Sequence, residues 1–244
     1  MRRVCVAAVA VAASVVVGVC VSPCSAWAGD DEDLHTILFS GRDLWRNGVF
    51  AHGGLLLSPG DIDEDGLRLK LLSSAGVYRY NAGGLGGQQV IGAEATMQVL
   101  PGFQVTHGRM TTKFFFGLDF EEHRLWPYDP GNNLRGHDIG MRMAADFWYE
   151  PTEKTMAVLE ASLSTVATNQ SARAAYGWRV LDDQFYFGPE LAYFGSDGYR
   201  HLRIGGHLTG LKTDNSQWSA AAGWAVDSDR RSSPYVRIGL MQKM

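Results

Sequence analysis

Beyond residue 28 this chain of 244 residues has no cysteine: Cys5, Cys20 and Cys24 all fall in the first 28 positions. Whatever the remainder folds into holds together without a disulfide. It also lacks an apolar run of about 20 residues, so no helix there is built to span a bilayer, and a spanning structure would have to be a closed barrel. A positive balance is missing too. Leaving out Arg2 and Arg3 reduces 22 basic residues to 20, against 26 acidic ones, a formal charge of −6. That argues against a nucleic-acid partner, which calls for a basic face.

The first residues account for part of this. Arg2 and Arg3 precede an apolar stretch from Val4 to Val21, and Ala26-Trp27-Ala28 supplies a small-x-small cleavage pattern. The pattern predicts a signal peptide over 1–28, cleaved near Ala28, and a single domain over 29–244. The alternatives are an uncleaved anchor, or a lipoprotein cysteine at Cys24, which Pro23 makes a poor fit.

What the rest of the chain has is alternation. In "HDIGMRMAADFWYE", Ile139, Met141, Met143, Ala145, Phe147 and Tyr149 alternate with Asp138, Gly140, Arg142, Ala144, Asp146 and Trp148. In "HLRIGGHLTG", Leu202, Ile204 and Leu208 alternate with His201, Arg203 and His207. Trp218, Ala220, Ala222, Trp224 and Val226 share one side of another run. Successive side chains of a strand point to opposite faces, so each run reads as a strand with one apolar face. About twelve strands are expected: 35–41, 48–57, 67–80, 88–100, 104–117, 137–149, 154–167, 172–181, 184–194, 199–211, 216–226 and 234–243.

Alternation suits a sandwich or a barrel. Three features select an all-β, antiparallel outer-membrane-type barrel. The runs are about 10 to 14 residues long, beyond the globular mode of about 5 to 6 and near what a tilted membrane strand needs. The polar parity carries full charges: Arg68, Lys70, Glu94, Asp138, Arg142, Asp146, Glu160, Arg173, Arg179, Glu190, Arg203 and Arg237. Aromatics gather near run ends (Tyr78 and Tyr80, Phe147 to Tyr149, Phe185 to Phe187, Tyr193 and Phe194), as interfacial girdles do. Links after even strands read as tight, at Pro101-Gly102, Pro151 to Glu153 and Leu181 to Asp183, while Leu118 to Gly136 reads as a long polar loop. The chain ends on Met244, where such barrels usually end on an aromatic.

The charged parity has two readings. The charges pair across a narrow lumen and hold it shut, which is favoured, or they line a path for a hydrophilic substrate. A ladder of Asp138, Arg142 and Asp146 with Arg173 and Arg179 is one expected form of the first.

Motifs for chemistry are thin. "SPGDIDEDGLRLKL" opens like a calcium loop with Asp61, Asp63 and Asp65, but position twelve is Leu72 where a bidentate Glu is needed, so a turn at Asp65-Gly66 is expected instead. His201 and His207 lie about 20 Å apart along one strand and cannot share a metal. Glu121-Glu122-His123-Arg124 reads as solvated loop. No G-x-S-x-G elbow is present, and Gly83 to Gly87 lacks the Lys-Ser/Thr of a phosphate loop. No catalytic residue, metal or cofactor is expected.

Leu38 to Gly60 and Gly66 to Gly83, with Phe39, Gly41, Asp43 and Leu44 in an F-x-G-x-D-L opening and Gly76, Tyr78 and Tyr80 at a strand end, resemble the alphaproteobacterial cellulose biosynthesis protein BcsS family. The resemblance implies an exported protein of a bacterial cellulose-synthesis gene set and offers no catalytic residue to carry over. The expectation is a non-enzymatic outer-membrane barrel supporting cellulose synthesis or export, as pore, scaffold or anchor. Its expected partners are outer-membrane lipid, the cellulose chain and synthase components. Trp126, Tyr128 and Trp148 are candidate sugar-stacking residues. The alternatives are an outer-membrane lipid or polysaccharide-acyl hydrolase, identified by a Ser-His pair, and a soluble periplasmic sandwich or lipocalin-like binder.

Overall fold

The computed structural model describes residues 35–244, apart from residue 214. The expected signal peptide lies outside the described residues. The chain forms twelve strands: β1 (His35–Trp45), β2 (Gly48–Ser58), β3 (Gly66–Ala82), β4 (Gln88–His107), β5 (Met110–Trp126), β6 (Gly136–Thr152), β7 (Thr155–Ser164), β8 (Gln170–Val180), β9 (Phe185–Ser196), β10 (Tyr199–Thr213), β11 (Ser216–Asp227) and β12 (Ser232–Lys243). Each pairs antiparallel with its neighbours in sequence, and β12 closes on β1 from Ile37↔Lys243 to Trp45↔Tyr235. Closure leaves no unpaired edge, the condition for strands to cross lipid.

The alternation sorts as expected. Leu67, Phe103, Phe114, Phe116, Ile139, Met143 and Ile204 are exposed on the outer face. Outward charges on the strands gather at one end. Arg42, Arg79, Glu122, Arg124 and Arg200 lie within four residues of the end carrying the β1–β2, β3–β4, β5–β6 and β9–β10 links, here the loop end, while Lys212, beyond the register shift between Thr209 and Leu211, pairs with Gln217 on the inward parity at the terminal end. The apolar belt beyond the outward charges is uninterrupted by charge among the described residues, as a lipid-facing wall requires.

Three boundaries differ from expectation. Pro101-Gly102 is no turn: β4 runs on to His107, and the tight link is Gly108 and Arg109. Pro101 lacks an N–H, so the ladder to β5 skips Leu100 and Pro101 and resumes at Gly102↔Phe115 in the same register. Gly102 is required there, because an added Cβ would meet the Phe114 carbonyl oxygen at 2.2 Å. The second correction is the long loop, which shrinks to residues 127–135 because β5 continues through Trp126. Glu121 and His123 are therefore buried strand residues facing inward, not solvated loop. Thirdly, the link rhythm is weaker than expected: β1–β2 and β9–β10 turn in two residues each, and the seven-residue β2–β3 link lies at the terminal end. The aromatic pairs also split, with Phe147, Tyr149 and Phe187 outward while Tyr78, Tyr80, Trp148, Tyr186 and Phe194 face inward.

Candidate functional site

The interior is layered. At the terminal end, Ile62 of the β2–β3 link packs into an apolar cluster with Ile37, Leu56, Leu100 and Phe115. The link is held there from below. Arg68 Nη2 donates to the carbonyl oxygens of Asp61, Ile62 and Glu64 at 3.2, 3.3 and 2.5 Å, and Gln104 Nε2 donates to those of Ile62 and Glu64 at 3.0 Å each. So Arg68 binds backbone carbonyls, and the carboxylates of the calcium-like motif are engaged elsewhere: Asp61 Oδ1 accepts from the Asp63 N–H at 2.9 Å, Asp65 Oδ1 from the Thr106 N–H at 2.5 Å, and Asp63 pairs with Lys243 at 3.0 Å. No metal-ligating cluster occurs among the described residues. A second apolar cluster, Met156, Val158, Ala175 and Tyr186, packs against Trp148 at the same end.

Charges fill the middle. Lys70 Nζ meets Asp146 Oδ2 at 3.0 Å, reaching from β3 to β6. Arg173 bridges Glu160 at 3.1 Å and Glu190 at 2.7 Å, and Arg237 meets the same Glu190 at 2.5 Å, tying β12 to β9. Above them, Arg203 Nη1 donates to both carboxylate oxygens of Asp43, at 2.8 and 2.6 Å, reaching from β10 to β1. Its guanidinium lies 4.7 to 5.1 Å from the ring centres of Trp45, Phe194 and Tyr235. On the facing wall Arg142 meets Asp119 at 2.7 Å and Glu121 at 3.4 Å, while Ser164 donates to Asp119 at 2.6 Å and His123 lies 3.3 Å from Glu121.

Strands three apart in a twelve-strand ring stand a quarter-turn from each other. At strand spacing of ~4.8 Å and tilt of about 40°, the wall has a radius of about 12 Å. The Lys70–Asp146, Arg237–Glu190 and Arg203–Asp43 pairs are thus chords across the lumen rather than neighbours along the wall.

Of the twelve candidate charges, Lys70, Arg142, Asp146, Glu160, Arg173, Glu190, Arg203 and Arg237 enter ion pairs. Glu94 faces inward with no ion-pair partner among the described residues, and Asp138 sits exposed near the loop end. Arg179 donates to Tyr186 Oη at 3.0 Å at the terminal end. The expected ladder does not form: Arg142 pairs toward β5, Asp146 toward β3 and Arg173 toward β7 and β9, because strand neighbours at other heights carry the complementary groups. Asp43, Asp119 and Glu121 were missed. Asp43 falls beyond the predicted end of β1, and the other two sit in what reads as loop; following the parity from Phe115 through Gly117 finds both.

The sugar-stacking candidates do not share a surface. Trp126 ends β5 facing outward, exposed. Tyr128 lies in the β5–β6 link under Arg135, 5.1 Å from its ring centre. Trp148 is inside at the other end, edge-on to Tyr186 at 6.1 Å. Among the described residues no serine hydroxyl is hydrogen-bonded to a histidine; Ser162 and Ser164 are engaged by Arg142 and Asp119, and His123 by Glu121 and Tyr78.

A family model described as "Cellulose biosynthesis protein BcsS" matches residues 37–244. The chain belongs to the BcsS family. That match runs from the third residue of β1 through all twelve strands to the last residue of this BcsS barrel. No curated protein matches. Among solved structures, the translocator domain of the autotransporter NalP from Neisseria meningitidis is similar in fold, with a TM-score of 0.50 at 12% identity, covering 86% of this chain and 88% of that one. The KdgM porin aligns with a TM-score of 0.44 at 11% identity, over 84% of this chain and 98% of that one. The fold is that of outer-membrane barrels, and family membership links this BcsS barrel to cellulose synthesis.

Proposed function

We propose that this BcsS protein resides in the outer membrane as a closed barrel and serves the cellulose machinery as a scaffold or anchor, not as the conduit for the polymer. The observation that carries this reading is the set of chord ion pairs, Lys70–Asp146, Arg237–Glu190 and Arg203–Asp43, above a terminal end stoppered by Ile62. Barrels of about eight strands are filled by side chains and those of 16 to 18 hold an aqueous channel. Twelve strands fall between, so side-chain pairing decides. A glucan chain passing through would have to break these pairs and leave buried charges such as Arg203 and Glu190 uncompensated, at several kcal/mol for each pair. The contacts that tether synthase components or the emerging polymer then fall to the rims, including the β5–β6 link with Tyr128.

Two measurements test this. Fractionation should place the protein with outer-membrane barrels. Purified protein in planar bilayers and in liposomes should give no steady conductance and no flux of glucose or cellobiose; sustained sugar flux through the wild type would sink the scaffold reading. Deleting residues 127–135, with the barrel still inserted, should lower cellulose output if the rim link takes part.

A further inference from the structure

At the loop end the rim carries a notch. β1 and β2 turn early, at Arg46 and Asn47, while β3 and β4 climb on to Ala82 and Gln88. β2 pairs with β3 only as far as Gly48↔Tyr78, so the β3 edge above that point stands beside the low β1–β2 turn. Hydrogen bonds fix the arrangement. The Arg79 N–H donates to the Asn47 carbonyl at 2.8 Å and Arg79 Nη2 to the Arg46 carbonyl at 2.9 Å. Asn47 Nδ2 donates to Asp227 Oδ2 at 3.0 Å, and the Arg231 N–H to Asp227 Oδ1 at 2.8 Å, which brings in the β11–β12 link.

The notch is a cleft of about 360 Å³ lined by Arg46, Asn47, Arg79, Asn81, Gln89 and Arg231. Three guanidinium groups therefore border it, and no carboxylate is among its lining residues; Asp229 pairs with one of them, Arg231, at 3.4 Å. No aromatic ring lines it, so it has no platform for a neutral sugar. Its height on the wall is the second clue. The outward apolar face ends one step beneath it: Val77 lies two residues before Arg79, Ile91 two after Gln89, Leu44 two before Arg46 and Val49 two after Asn47, all exposed. On an outer-membrane wall that step is where hydrocarbon gives way to headgroups. Arg42, outward on β1 and exposed, adds a fourth cation just below.

From this placement we infer that the Arg46–Arg79–Arg231 cleft binds a phosphate group on the headgroup of an outer-leaflet glycolipid. Arginine presents planar, paired donors to phosphate oxygens, while Asn81 and Gln89, both exposed, supply amides for the attached sugar. The cleft opens at the lipid boundary, so the phosphate is one carried by lipid rather than a free ion. The inference rests on the outer-membrane reading above, and a detergent assay separates the two. Localisation is read by fractionation, binding by native mass spectrometry of the folded full-length protein in neutral detergent with bisphosphorylated lipid A.

The expected result is one retained lipid A per chain. The R46Q/R79Q/R231Q variant should bind about a thousandfold more weakly, at about tenfold for each of the three arginines removed, and dephosphorylated lipid A should fail against the wild type to a similar degree. Millimolar inorganic phosphate should not displace the lipid. Folding is checked by the mobility shift of unboiled protein on a gel; if the triple variant misfolds, Arg79→Gln, at an exposed position, is read alone for the tenfold loss. Equal binding of the variant or of dephosphorylated lipid overturns the inference, and so does inorganic phosphate competing at its own concentration. If the protein fractionates with the outer membrane yet fails to bind, the lipid site falls and the membrane reading stands.

Discussion

An Arg203→Met substitution removes the most enclosed cation of the lumen and keeps its volume. The Arg203 side chain is 2% exposed and its partner Asp43 15%, so both sit largely out of water. Breaking a buried pair by deleting one member costs about 3 to 5 kcal/mol, mostly because the other charge is stranded. Asp43 retains some access to water, which places the loss near the lower bound, at about 3 kcal/mol. The cation–π contacts with Trp45, Phe194 and Tyr235 are lost too, but a methionine sulfur against the same rings offsets part of that. The double variant D43N/R203M separates these contributions. If stranding dominates, neutralising Asp43 restores at least half of the loss. The assay is guanidinium unfolding from lipid vesicles followed by tryptophan fluorescence, with bilayer conductance on the same preparations. The reasoning fails if R203M costs under about 1 kcal/mol, or if the double variant is no better than the single. A stable R203M barrel that conducts steadily, where the wild type is silent, would show that this chord closes the lumen.

Ile204 lies beside Arg203 but faces outward and is 65% exposed. Ile204→Arg should destabilise the inserted barrel by about 2 to 4 kcal/mol in the same titration, because a lipid-facing charge near mid-height costs that much. Gly102→Val should block folding or cost several kcal/mol, since its Cβ would enter the space of the Phe114 carbonyl; absence of the unboiled-gel mobility shift reports this. Ile62→Asp should release the β2–β3 link from the Leu100–Phe115 cluster, lower stability by about 2 kcal/mol or more, and expose residues 59–65 to protease, while Asp63→Asn, at an exposed ion pair, should change stability by under about 1 kcal/mol.

The wall was legible because its information is local. Period two says which side chains share a face, and an apolar face of ten or more residues says lipid. Ile139 to Tyr149 on β6 and Leu202 to Leu208 on β10 sort inward and outward as their parity predicts. The failures occurred where a local signal has two causes. Pro101-Gly102 looks like a turn pair, yet proline is tolerated in a strand if one ladder bond is surrendered, and glycine is needed wherever a neighbouring chain crowds the Cβ position. Asp119 to Arg124 looks like loop because, apart from Phe120, it is polar on both parities. Beyond the apolar belt an outward residue no longer has to be apolar, so Glu122 and Arg124 face out at the loop end while Glu121 and His123 face in.

The lumen was legible as a set of residues and not as a set of pairs. Parity alone puts Arg142, Arg173, Arg203 and Arg237 inside, but it is silent on the partner of each. Partners follow from the strand count, which fixes which walls face one another, and from the stagger of the strands, which fixes the heights that meet. Two equally polar lumens could thus share one sequence pattern, one with charges paired along the wall around an open channel and one with charges paired across it. Here Glu190 collects Arg173 from the adjacent strand and Arg237 from three strands away, so a single carboxylate serves both kinds of pairing. Neutralising it as Glu190→Gln should therefore loosen the wall and the chord together, and cost more than Glu160→Gln, which removes only a neighbour pair at a half-exposed side chain. Equal losses for the two variants, measured by guanidinium unfolding from vesicles, would mean that the Arg237 chord contributes nothing, and with it would go the argument that cross-lumen pairing holds this barrel shut.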